Sequence, residues 1–188
     1  MKLNEPLIEE YEINGKPIEF DLSFDNILDI LEVLNSNDFD EVGKLTLITE
    51  MLVSNDVDLG IDEMAEVYFY ALNTYIQPES ETYVEYDLRG NPMPDKSEKV
   101  IDFEKDAKFI FASFFMIGIN LFEQQGKLTW MEFQALMSAL PDDCIMSKII
   151  SIRQWEAQEG ESKERKEEMR KLKIRYSLDE YREEVDYG

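Results

Sequence analysis

The sequence predicts a mainly α fold of the α+β class. An N-terminal β-hairpin leads into helices, one Phe-rich and buried, the last exposed and mixed in charge. Three observations carry this. An Asn-Gly pair at 14–15 sits between alternating apolar residues, the strongest short-range hairpin signal. Apolar residues then recur every three or four positions along most of the chain, the spacing of one helix face. Finally, the block from Asp102 to Phe122 gathers six of the eleven phenylalanines and should form a central helix apolar all round.

In the hairpin, Tyr11, Ile13, Ile18 and Phe20 alternate with polar residues. So small a ribbon is marginal alone and needs helices beneath one face. Ser23 or Asp25 caps a first helix with apolar positions Phe24, Ile27, Leu28, Leu31 and Leu34. A second carries Phe39, Val42, Leu45, Ile48 and Leu52, and a third, over 61–76, carries Met64, Val67, Tyr68, Ala71, Leu72 and Tyr75.

Residues 77–100 break the periodicity with Pro78, Gly90, Pro92 and Pro94, and only Tyr83–Tyr86 hints at a short strand. This divides the chain into 1–76 (hairpin plus helices), a loop or linker at 77–100, and a helical second half at 101–188, unless all three form one continuous domain. Beyond the Phe-rich helix, Thr129 and Glu132 make a capping box for a helix bearing Trp130, Phe133, Leu136, Met137 and Leu140. Pro141 ends that helix or opens the next, which should run to about residue 159 and include Trp155. Gly160 is a stop and Ser162 a cap for the last helix. From Lys163 to Arg175 that helix holds seven basic and three acidic residues, with a narrow apolar stripe of Met169, Leu172 and Tyr176. Glu161–Arg165 and Glu167–Lys171 have the i,i+4 spacing that supports an exposed helix. The acidic tail after Leu178 should fray.

Charge and composition exclude several functions. With 44% hydrophobic residues the chain has enough apolar material for a core, so its acidity does not mean disorder. The net charge is −23; residues 1–100 carry 24 Asp and Glu against 6 Lys and Arg, and residues 101–188 carry 18 against 13. Such a field repels phosphate backbones and anionic lipid surfaces, so neither nucleic acid nor membrane is an expected partner. The longest apolar stretch, Phe109 to Ile119, covers 11 residues against the roughly 20 that cross a bilayer. The first residues lack the basic and apolar blocks of a signal peptide, and a single cysteine, Cys144, allows no intrachain disulfide; an intracellular protein is expected.

Catalytic parts are scarce. The chain has no histidine, which removes Ser-His-Asp and Cys-His pairs and imidazole metal sites. Asp142 and Asp143 beside Cys144 should raise its thiol pKa. Asp102 and Asp106 could do acid–base work, but acidic residues in a first turn are the ordinary answer to a helix dipole. The run GKLTWMEF resembles the second half of a calcium-binding loop, yet position 1 would be Leu121, which cannot coordinate the ion. No cofactor is expected, and the protein should work by binding. Trp130, Phe133, Trp155 and the phenylalanines of the central helix read as core, with an exposed Met- and aromatic-rich groove as the alternative.

The order of three blocks, DFEKDAKFIFASF, LTWMEFQALMSALP and SKERKEEMRKLKIRYSL, resembles the bacteriophage gene product fifteen family. The residues carrying the likeness are Asp102, Asp106, Ala107, Ile110 and Phe114, then Leu128, Trp130, Phe133, Ala135, Leu136, Leu140 and Pro141. Arg153 follows, and after it Ser162, Lys163, Glu164, Leu172, Lys173, Tyr176 and Leu178. The resemblance covers 102–178; the earlier hairpin followed by helices is similar to the start of many tail assembly chaperones. It implies a non-enzymatic chaperone of the phage tape-measure protein, with the tail tube protein as a further partner and self-association along the client. It would act in the host cytoplasm and be absent from the mature virion. On that reading Trp130, Met131, Phe133, Met137 and Trp155 are the client-binding residues. An acidic DNA mimic that inhibits a host enzyme and a structural tail component are the alternatives.

Overall fold

The computed structural model describes residues 4, 6–8, 10–77 and 100–178. They comprise a two-stranded antiparallel hairpin and seven α-helices, the mainly α architecture expected. The anticipated strand at 83–86 and the acidic tail lie outside the described residues. The described residues fall into two compact units, one formed by those up to 77 with 122–138, the other by 100–121 with 139–178. The division at 77–100 differs from this, because 122–138 belongs to the first unit.

In the first unit, β1 (Tyr11–Ile13) and β2 (Lys16–Ile18) pair Ile13 with Lys16 across the turn. Asn14 and Gly15 take φ of 50° and 78°, the two positive angles this turn demands and the reason Asn-Gly is favoured there. Buried Ile13 and Ile18 form the inner face of the ribbon. Tyr11 stacks on Tyr70 with ring centroids 3.9 Å apart.

An extended strap, Glu19 to Phe24, follows. It bonds on one side to 52–54 (Asp21 N to Leu52 O, 2.8 Å; Ser54 N to Glu19 O, 2.8 Å). On the other it bonds to 128–130 (Phe24 N to Leu128 O, 2.9 Å; Trp130 N to Leu22 O, 2.7 Å). These bridges place the helix at 130 in the first unit.

α1 (Phe24–Asn35) buries Phe24, Ile27 and Ile30, and Leu28, Leu31 and Leu34 are half-buried beside them. α2 (Glu41–Leu52) starts at Asp40, whose carboxylate accepts the Gly43 N–H at 2.8 Å. Its inner face is Ile48, Thr49 and Leu52; the expected core positions Phe39 and Val42 are exposed at its start. α3 (Ile61–Ala71) continues into a π-helical turn, Leu72–Ile76, that buries Tyr75 and Ile76. α5 (Trp130–Ser138) closes the unit against α1 and that turn.

In the second unit, α4 (Ala107–Met116) packs on α6 (Ile145–Gln154), which in turn packs on α7 (Lys163–Arg175). Two expectations are corrected. The Phe-rich helix is shorter than 102–122 and is not buried all round. Asp102 Oδ1 accepts the N–H groups of Glu104 and Lys105 in a turn before it. Gly118, at φ 87°, ends it in a Schellman arrangement, with Ile119 N donating to Phe114 O at 3.0 Å. Packed on α6, the helix buries one stripe, Ile110, Ser113 and Phe114. The helix expected to contain Trp155 stops at Gln154, because Trp155 turns extended and Glu161 holds the following loop. α7 matches expectation: Ser162 caps it through Arg165 N at 3.1 Å, and Met169 is its buried residue.

Candidate functional site

Asp106, the buried member of the carboxylate pair the sequence offers, is committed to holding the fold. Asp106 is fully buried, and Arg153 meets both its carboxylate oxygens, at 2.6 and 2.8 Å. Arg153 also donates to Tyr176 O and Val100 O, each at 2.7 Å, and Asp106 accepts the Asp102 N–H at 3.0 Å. A buried carboxylate needs this saturation, since an unpaired charge in the interior is costly. The acid–base reading of Asp102 and Asp106 therefore gives way to a structural latch.

Glu132 accepts the Thr129 N–H (2.9 Å) and Thr129 Oγ1 accepts the Glu132 N–H (3.4 Å), the reciprocal pair of the capping box, and the Thr129 hydroxyl also donates to Glu132 (2.8 Å). The calcium-loop reading fails on geometry as well as chemistry: Leu121 is buried, and Gly126 N donates instead to Asp25 Oδ1 at 2.9 Å. Among the described residues no group of three or more acidic or cysteine side chains could hold a metal ion.

Cys144 is buried at the N-cap of α6. Burial works to raise its pKa, but hydrogen bonds with Ser113 and Ser147 and with the N–H groups of Ser147 and Met146 outweigh that, so the thiol pKa is lowered. This corrects the expected rise: cap hydrogen bonds govern this thiol, and neither Asp142 nor Asp143 is among the causes.

Two of the five residues singled out for client binding are enclosed in the first unit. Trp130 and Phe133 are 3% and 1% exposed, stacked on each other with centroids 5.6 Å apart, and Phe133 stacks on Phe24 at 5.1 Å. Trp130 Nε1 donates to Ile76 O at 3.2 Å inside the first unit. Side chains so enclosed offer nothing to a partner, and these two are core. Met131 and Met137 are half-buried on the same helix. Trp155, half-buried in the second unit, donates to Glu161 Oε1 at 3.4 Å. That contact replaces the expected Glu161–Arg165 pair.

The exposed apolar material lies elsewhere. On α4, Ser113 Oγ accepts the Met146 N–H at 3.0 Å and donates to Phe109 O at 2.8 Å, while Phe114 is fully buried. With that side anchored on α6, the opposite side of α4 presents Phe115 (60% exposed) and Met116 (52%), with half-buried Phe111 stacked on Phe115 at 5.7 Å. Ile117 extends the patch past the helix end. In the first unit Phe39, Val42, Ile61 and Phe69 are exposed on or beside α2 and α3. The signal for the α4 face was in the sequence: Phe111 and Phe115 are i,i+4 neighbours, and Phe115 falls on the side away from Ile110. An all-apolar helix was read as enclosed, when it can equally bury one side and show the other.

The chain is thus mainly helical and acidic, with an aromatic and methionine face exposed on α4. A family model described as Bacteriophage Gp15 protein matches residues 3–178, and the chain belongs to that family. No curated protein matches it. No solved structure does either.

Proposed function

We propose that the protein is a non-enzymatic tail assembly chaperone that holds the phage tape-measure protein in the host cytoplasm until tube subunits replace it. The observation that carries this reading is the α4 face, where Phe111, Phe115 and Met116 project from a helix fixed on its other side by Phe114 and Ser113. A rigid helix showing aromatic and methionine side chains suits an amphipathic helical client, which docks its own apolar stripe, and methionine tolerates varied stripes. The −23 charge keeps loaded complexes apart by mutual repulsion. Membership of a phage family is compatible with this reading, and the choice of client rests on what the resemblance of the C-terminal blocks implies.

The test is co-expression of the tape-measure protein with and without this chain, reading the client's soluble fraction and what co-purifies. Soluble client in a multi-copy complex supports the chaperone, and Phe115→Ser combined with Met116→Ser should lower the yield of that complex. Insoluble client beside a free chain overturns it and favours the acidic decoy. A chaperone is also missing from purified particles by mass spectrometry, where a structural tail component would be found.

A further inference from the structure

The distribution of cations is as uneven as that of the apolar groups. Seven of the protein's nineteen Lys and Arg residues lie on α7. Four of these, Lys163, Lys166, Arg170 and Lys173, follow one another at i, i+3, i+7 and i+10 and so form one ridge along the helix. Lys163 and Arg170 are exposed, Lys166 and Lys173 partly so, and none of the four makes an ion pair among the described residues. Of the acidic residues of α7, Glu167 lies at i+4 from Lys163 but pairs instead with Lys171 at 3.1 Å.

The first unit is the reverse. Its described lysines are Lys16, Lys44 and Lys127, and each is already engaged. Lys16 meets Glu63 at 2.7 Å, Lys44 meets Leu34 O at 2.9 Å, and Lys127 meets Glu123 O at 2.9 Å. Against them stand exposed carboxylates including Asp29, Glu32, Asp38, Glu50, Asp56 and Asp62. One unit therefore offers an uncompensated cationic ridge and the other a surface of uncompensated carboxylates.

We propose that the Lys163–Lys166–Arg170–Lys173 ridge of one copy docks on the acidic first unit of the next. The contact joins unlike surfaces, since two ridges repel each other and two acidic units do likewise; left unreciprocated it is heterologous, and a heterologous contact that does not close propagates as a row. Charge-matched, exposed pairs give weak, salt-sensitive contacts, which suits an assembly that must come apart. This rests on the chaperone reading only for its purpose, by naming the contact that lines copies up along an extended client; self-association itself is measured without client.

The test compares two full-length variants of equal net charge. In the first, Lys163, Lys166, Arg170 and Lys173 are all changed to Gln. In the second, Lys108, Lys148, Lys171 and Arg175 are changed instead. Sedimentation velocity over a concentration series reads association at about 0.05 M and about 1 M salt, with circular dichroism checking that helicity is kept. The wild type and the second variant should associate in low salt and dissociate in high salt. The ridge variant should bind its own kind about tenfold or more weakly, yet still cap wild-type rows through its intact acidic unit. A wild type that stays monomeric in low salt overturns the proposal, as does equal association of both variants. An arginine-for-lysine version of the ridge should behave as wild type. Client capture, measured separately, stands or falls with the α4 face, so the two ideas fail independently.

Discussion

Arg153 grips Asp106 with both arms of its guanidinium, Nη1 to Oδ2 at 2.6 Å and Nη2 to Oδ1 at 2.8 Å, forty-seven positions apart in sequence. The same side chain holds Val100 O and Tyr176 O, so one residue ties together three segments of the second unit. Arg153→Met strands the Asp106 charge in the interior and should cost about 3–5 kcal/mol. Adding Asp106→Asn removes that charge, so the double variant should be more stable than the single one. Urea unfolding followed by circular dichroism gives both values; a neutral Arg153→Met would contradict the latch.

The core position of Trp130 and Phe133 ties them to stability, apart from the proposed client face on α4. Either residue changed to Ala should destabilise the first unit by about 3–5 kcal/mol, because a stacked, enclosed ring leaves a cavity. Phe115→Ser on the exposed side of α4 should shift stability by only about 0.5 kcal/mol. Unfolding midpoints for the three variants rank them directly.

Glu63 links the hairpin to α3 and should make that junction sensitive to acid. Its carboxylate accepts from Lys16 Nζ (2.7 Å), Asn14 Nδ2 (2.9 Å) and Gly60 N (2.9 Å). The hydrogen bond from Lys16, then those from Asn14 and Gly60, lower its pKa from 4.5 to about 2. A lowered carboxylate pKa adds stability above the unfolded value, and that stability is lost as pH falls from 4.5 towards about 2. The stability gap between wild type and Glu63→Gln should thus be constant near neutral pH and shrink across that window. A gap that widens on acidification would contradict the assignment.

Cys144 caps α6 through its sulfur, which accepts the Ser147 N–H at 3.5 Å. Cys144→Ala should cost about 1 kcal/mol, the usual value of a lost cap, whereas Cys144→Ser keeps an acceptor and should cost less. Being enclosed, the thiol should react slowly with a thiol reagent in the native protein and quickly in urea, despite its lowered pKa.

Features settled by neighbours in the chain were legible in the sequence. Asn14-Gly15 made the expected turn, and Thr129 with Glu132 and Ser162 with Arg165 made the expected caps, because each depends on groups within three residues. Features that depend on a distant partner were not. Nothing near Asp106 announces Arg153, and nothing near Trp130 announces the Ile76 carbonyl beneath its indole. The same limit explains why Trp130 and Phe133, although core, read as candidates for client binding. Hydrophobicity identifies Phe114, Phe115, Trp130 and Phe133 alike, but which of them another helix covers is decided by long-range packing.

The strap at Glu19–Phe24 has a consequence for synthesis. Its second edge is supplied by Leu128 and Trp130, more than a hundred residues later. At roughly 5–20 residues per second, a ribosome needs roughly 5–20 seconds to deliver that edge. Until then Phe24 lacks the ring of Phe133, and the strap's outward N–H and C=O groups must bond to water. The N-terminal segment is therefore among the first parts made, yet its unit waits for residues up to 138, and residues 100–121 leave the ribosome before it is complete.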